Sequence, residues 1–223
     1  MFLGHFGVAM MARSKSQDTR LGTLFAASQF LDLIWPFFII FGLETVSSRG
    51  AREGFHTLSF ISYPYSHSLL FASFWAIVFA IWAKLAKKKN FVVLLLAVLV
   101  LSHWVLDWIV HEPDLPLAFH DEIKHGLNLW ANHSLTLIIE LFIFSSGVVS
   151  YLRAIQLETL KKKVIFFSLI AFLLIIFVMS AFGPPPALET SAVAIGGPAL
   201  AMWLFVWWGN AVEGSNKSIN GSR

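Results

Sequence analysis

His103, Asp107 and His111 stand four residues apart in the segment SHWVLDWIVHEPD. Four residues advance an α-helix by about 400°, so on a helix the three side chains share one face. A His and a carboxylate one turn apart can both reach a single divalent cation, the geometry that makes paired His on a helix a zinc signature. The competing account is that the same side chains hydrogen-bond to one another or to a neighbouring helix and serve only as interhelical glue. His67, in YPYSHSLL, and Asp32, in QFLDLIWP, belong to other apolar stretches. Asp32 falls near the middle of its stretch, where an unpaired carboxylate is costly, so it needs a cation, a proton or a hydrogen-bond partner and should face inward. His5, in the opening MFLGHFGVAMMA, joins this group only if that short segment dips into the protein. Glu140 is a second-tier candidate, as a ligand, a proton acceptor or a partner for His133. Asp114, His120, Asp121 and His125 occupy a polar segment that reads as solvated.

The elements that must position these groups follow from composition. Hydrophobic residues make up 57% of the 223 positions and charged ones only 13%, with 22 Phe and 9 Trp. That is more apolar surface than a single soluble core can hide, so lipid must cover the remainder. Apolar blocks about 20 residues long recur, each long enough to cross a bilayer as a helix. The blocks run from Leu21 to Leu43, Ser66 to Ala86, Phe91 to His111, Ser134 to Ala154, Val164 to Phe182 and Ala192 to Val212. The expected fold class is therefore all-α: one polytopic bundle of six spanning helices over residues 1–212, preceded by a short interfacial or re-entrant helix. Residues 213–223 read as a polar disordered tail.

Charge sets the orientation. Of 16 Lys and Arg, only Arg49, Arg52 and Lys124 fall on the side that holds loops 44–65 and 112–133. The positive-inside rule then places both termini in the cytoplasm and those loops outside. The net charge of +3 is spent on these topology clusters and does not imply a nucleic-acid partner; membrane lipids are the expected neighbours. There is no Cys, which excludes disulfides, thiolate ligands and a thiol nucleophile and leaves His, Asp and Glu as metal donors. No Gly-rich phosphate loop or nucleophile elbow is present.

GHFGVAM near the start, Asp32, SHSLL at 66–70 and SHWVLDW at 102–108 together resemble the inner-membrane metal-dependent hydrolase family over roughly residues 1–115. The chain carries LDLIWP where that family has an acidic PDxDH stretch, and Ser66 where Thr is common. The resemblance implies a metal set of His5, Asp32, His67, His103 and Asp107, with zinc as the expected ion, in a bacterial inner membrane. The family is in turn similar to zinc-dependent phospholipase C and single-strand nuclease folds, which suggests a lipid or other amphiphilic phosphoester as substrate by analogy. In that reading Asp107 and His111 serve catalysis, one of them as general base toward a metal-activated water. Two other readings stay open: a permease or proton-coupled transporter that titrates the same Asp and His side chains, and a non-catalytic membrane scaffold.

Overall fold

The computed structural model describes residues 1–16, 18–119 and 122–214. Most of the expected polar tail, together with His120 and Asp121, lies outside the described residues. Among the described residues, ten α-helices and one β-hairpin follow in the order α1 Leu3–Lys15, α2 Leu21–Ser28, α3 Phe30–Ile40, β1 Thr45–Glu53, β2 His56–Ser62, α4 Pro64–His67, α5 Leu69–Leu85, α6 Asn90–Val110, α7 His133–Ala154, α8 Leu160–Phe182, α9 Ala192–Ala199 and α10 Met202–Glu213.

Among the described residues, α6, α7, α8 and the α9–α10 pair are long and apolar enough to cross a membrane. The α2–α3 pair makes a fifth candidate, bent by 56°, and α5 is a shorter apolar helix of 17 residues. Large side chains such as Ile138, Phe142, Phe167 and Met179 are exposed on the outer surface, as expected where hydrocarbon rather than water is the solvent.

Several expected spans are interrupted, and the interruptions matter for the site. The block from Leu21 breaks at Gln29, which leaves the helical region of the backbone. The block from Ser66 starts as the single turn α4, whose first residue is Pro64, and restarts at Ser68, whose hydroxyl caps α5 by accepting from Phe71 N at 3.1 Å. The last block is broken at Leu200 and Ala201 beside Pro198.

α1 settles the alternative left open for the N-terminal segment: it is buried inside the bundle rather than laid on its surface. Leu3, His5, Phe6 and Met10 are almost fully buried. Gly7 and Gly147 let α1 lie directly on α7; a Cβ on Gly7 would stand 2.6 Å from the Ile143 carbonyl oxygen. α1 has no N-cap side chain of its own, so Glu140 of α7 supplies one, accepting from Phe2 N at 3.0 Å and Gly4 N at 3.0 Å. At the other end, Arg13 Nε donates to Glu213 at 2.7 Å. Phe6, Phe25 and Phe205 interlock edge to face within the main core.

The all-α expectation is corrected by the hairpin. β1 and β2 pair antiparallel through a two-residue loop, Gly54–Phe55, with Gly54 at a positive φ of 63°. The hairpin is tied down by Phe55 N to Trp130 O at 2.9 Å, by His56 Nε2 to Asn128 Oδ1 at 2.9 Å, and by the Arg49–Glu112 ion pair. It turns Leu58 and Phe60 inward, over the polar centre of the bundle.

Candidate metal centre

Five side chains from four elements meet inside the bundle: His5 of α1, Asp32 of α3, His67 of α4, and His103 and Asp107 of α6. The ligand atoms of His5, His103 and Asp107 all lie within 4.8 Å of one another, and so do those of Asp32, His67 and His103. His103 belongs to both groups. His103 Nε2 stands 3.0 Å from Asp107 Oδ2 and 3.7 Å from Asp32 Oδ1, while His67 Nε2 stands 3.4 Å from Asp32 Oδ1 and 3.7 Å from Asp107 Oδ2. His5 Nε2 is 3.1 Å from Asp107 Oδ1, and its ring stacks on His103 with centroids 3.8 Å apart. The amino group of Met1 also lies against Asp107 Oδ1.

Each of two imidazoles is oriented by a partner behind it. His103 Nδ1 lies 2.7 Å from the Ser28 carbonyl. A carbonyl only accepts, so Nδ1 carries the proton and the Nε2 lone pair faces Asp32 and Asp107. That carbonyl is the last of α2, left available by the break at Gln29. His67 is fixed through a longer relay. Ser66 Oγ lies 2.7 Å from Glu44 Oε2 and 2.7 Å from His67 Nδ1. A hydroxyl with one proton that donates to a carboxylate must accept from the imidazole, so His67 also presents Nε2 unprotonated. Ser66 N donates to the other Glu44 oxygen at 2.7 Å. Burial pushes the Glu44 carboxyl up from its ordinary value, and the hydrogen bonds from Ser66 oppose that shift.

These features pass a simple test of fit. His103 Nε2 and His5 Nδ1 are buried without a hydrogen-bond partner, a costly condition for ring nitrogens that a cation would relieve at His103. The nitrogen and carboxylate donors suit zinc or another borderline divalent ion. The outer partners, Ser28 O and Ser66 Oγ, resemble the supports that metal-ligating histidines ordinarily have.

His111 stands apart. The helix ends at Val110, and His111 is the extended C-cap residue with φ −65° and ψ 147°, so the shared face predicted for three side chains holds only for His103 and Asp107. The helix stops before Pro113, as the preference of pre-proline segments for extended backbone requires. His111 pairs instead with Asp114, Nδ1 to Oδ1 at 3.0 Å, and Tyr63 OH donates to the same oxygen at 2.6 Å. Burial first, and Asp114 second, raise the Tyr63 phenol well above its ordinary value, which keeps it a donor. A cavity of about 180 Å³ is lined by Asp32, His67 and Asp107 of the cluster together with His111, Phe60 and Trp130, and the Tyr63 ring packs against His67 with centroids 5.4 Å apart.

Glu140, a second-tier ligand candidate, is engaged at the α1 terminus and belongs to neither ligand group. It does not meet His133 either, whose Nε2 lies 3.0 Å from the Ala181 carbonyl. Glu44, Ser66, Asp114 and Tyr63 are the supporting residues that sequence reasoning did not assign. The signal for Glu44 was a lone acid placed directly after an apolar block with no basic neighbour.

No protein-family model matches the chain, and no curated protein or solved structure matches it.

Proposed function

We propose that the chain is a multi-pass membrane protein of a bacterial inner membrane and a metal-dependent hydrolase acting on a lipid or other amphiphilic phosphoester. In this reading α5, the bent α2–α3 pair and the four long helices make six spans, with α1 as a re-entrant element. The observation that carries the reading is the convergence of three histidines and two aspartates, with the lone pairs of His67 and His103 directed at one centre. The partial resemblance in GHFGVAM, SHSLL and SHWVLDW adds to it.

A divalent ion held there, zinc being the expected one, would act as a Lewis acid and bring the pKa of a coordinated water toward 7. The protein's own part is to bind and orient. His5, His67, His103 and Asp107 present donors from rigid or capped elements, and the adjoining cavity leaves room for a reacting group, as a catalytic rather than structural site requires. His111, held through Nδ1 by Asp114 and lining the same cavity, would accept a proton there. Leu58 and Phe60 of the hairpin lie over the cavity and limit water, which strengthens every charge interaction inside.

The test is head-group release from phospholipid in nanodiscs, assayed with the native protein, after chelation and after zinc is restored. Activity that chelation removes, zinc restores and Asp107→Asn abolishes supports the proposal. Metal binding without chelator-sensitive hydrolysis of any phosphoester tried, joined to proton flux that Asp32→Asn abolishes, would replace it with the transport reading.

A further inference from the structure

A second cavity, of about 340 Å³, adjoins the metal centre at Asp32. Its walls come from α3, α8 and the α9–α10 break: Ile176, Pro198, Ala201, Met202 and Phe205 are apolar, and the charged group among its lining residues is Asp32. Phe2, Asp32 and Trp35 line both this cavity and the polar one, so the two are separated by no more than those three side chains.

The break in the last span borders this space: Pro198, which has no N–H to continue the helical ladder, and Ala201, which presents only a methyl group, are among its lining residues. Pro198 and Ala201 at the rim are exposed, whereas Phe205 at the floor is buried. The next residues along two walls, Ile175 and Leu204, are 54% and 60% exposed. The Asp32 side chain keeps 31% of its surface exposed despite its place in an apolar helix pair.

Size and chemistry match a ligand site: a few hundred Å³, mostly apolar walls, and a few polar groups, Asp32 and Ser180, among the lining residues. Because its walls belong to helices apolar enough to span a bilayer, hydrocarbon rather than water borders the rim. An occupant must be apolar along the groove and polar where it meets Asp32. We infer that this groove holds one acyl chain of a membrane glycerophospholipid that enters sideways from the bilayer, with its head group reaching the cavity beside Asp32, His67 and Asp107. The inference rests on the membrane-spanning reading and deepens the proposed substrate class, yet it makes a binding claim that stands without any hydrolysis.

The experiment uses the full chain in nanodiscs containing phosphatidylethanolamine with a diazirine near the end of one acyl chain, followed by peptide mapping after photolysis. Label should concentrate on Ile176, Met202 and Phe205. Ala201→Leu, and separately the milder Ala201→Val, should lower that labelling by about tenfold or less in proportion to added bulk, while metal content stays at the wild-type level. His103→Ala should lose metal and keep the labelling, so failure of the metal reading and failure of the groove are told apart. The inference is overturned if those three residues take no more label than the exposed Phe172 and Leu204. It is also overturned if bulk at Ala201 leaves the labelling unchanged in protein of wild-type metal content, or if excess free fatty acid displaces the label and excess phospholipid does not.

Discussion

Replacing Ser66 with Ala should weaken metal binding by roughly 10–100-fold, although Ser66 offers no ligand itself. Its hydroxyl links Glu44 to the proton position on His67: Oγ donates to Glu44 Oε2 at 2.7 Å and accepts from His67 Nδ1 at 2.7 Å. Without it, His67 can place its proton on Nε2, the nitrogen that faces Asp32 at 3.4 Å and Asp107 at 3.7 Å. The affinity loss corresponds to about 1.4–2.8 kcal/mol, one to two factors of ten. A separate stability loss of about 1.5–3 kcal/mol should accompany it, because Glu44 is buried and loses a charge-assisted hydrogen bond. The assay is zinc competition against a chromogenic chelator in detergent, run beside thermal unfolding of the metal-free protein. Ser66→Thr keeps the hydroxyl and should keep most of the affinity. Unfolding at lower temperature with zinc affinity within about twofold of wild type, less than the loss expected when a partner that orients a ligating histidine is removed, would refute the tautomer argument and reduce Ser66 to a packing residue.

Glu140→Ala removes the acceptor for Phe2 N and Gly4 N and should cost about 1–3 kcal/mol, read as a lower unfolding midpoint together with weaker zinc binding, since α1 carries His5. Gly7→Ala would drive a Cβ to 2.6 Å from the Ile143 carbonyl oxygen and should destabilise by about 1–3 kcal/mol; unchanged thermal stability would deny the close α1–α7 contact. His111→Ala should leave metal stoichiometry intact while lowering chelator-sensitive turnover by roughly 10²–10⁴-fold, a split that elemental analysis and an activity assay resolve. Tyr63 is raised in the folded state, so its contribution to stability is complete below the unfolded phenol value near 10 and is lost as pH rises above it. The drop in unfolding temperature between about pH 9 and pH 11 should accordingly be smaller in Tyr63→Phe than in wild type.

The parts of the site that lie on one uninterrupted helix could be read from the chain. α6 runs from Asn90 to Val110 with no Gly or Pro, so the 3.6-residue period put His103 and Asp107 on one face. The same period failed at His111 because Pro113 ends the helix first. Asp32 and His67 could be nominated, one as a carboxylate at membrane depth and one at a helix start, but their meeting depends on the breaks at Gln29 and Ser68. Neither break carries a Gly or Pro of its own, and each is supported by tertiary partners: Ser28 O by His103, and α5's first N–H groups by the Pro116 and Leu117 carbonyls. The place of His5 was undecided because Arg13 and Lys15 draw α1 toward one membrane face, while the burial of its first turn depends on Glu140 136 residues away from Gly4. The hairpin did leave local signals, in the inward Leu58 and Phe60 two residues apart and in Gly54 between the strands. They were outweighed by the helical composition of the rest of the chain.

The five donors His5, Asp32, His67, His103 and Asp107 are expected to hold a divalent cation. Elemental analysis of tag-free protein purified in detergent tests this most directly, with His103→Ala and Asp107→Ala carried through the same preparation. About one tightly held zinc or similar ion per chain is expected, the loading of one shared donor set, retained through dialysis and absent from both variants. A folded wild-type protein that stays metal-free after zinc, manganese and iron are each offered would contradict it, and so would metal that persists in both variants.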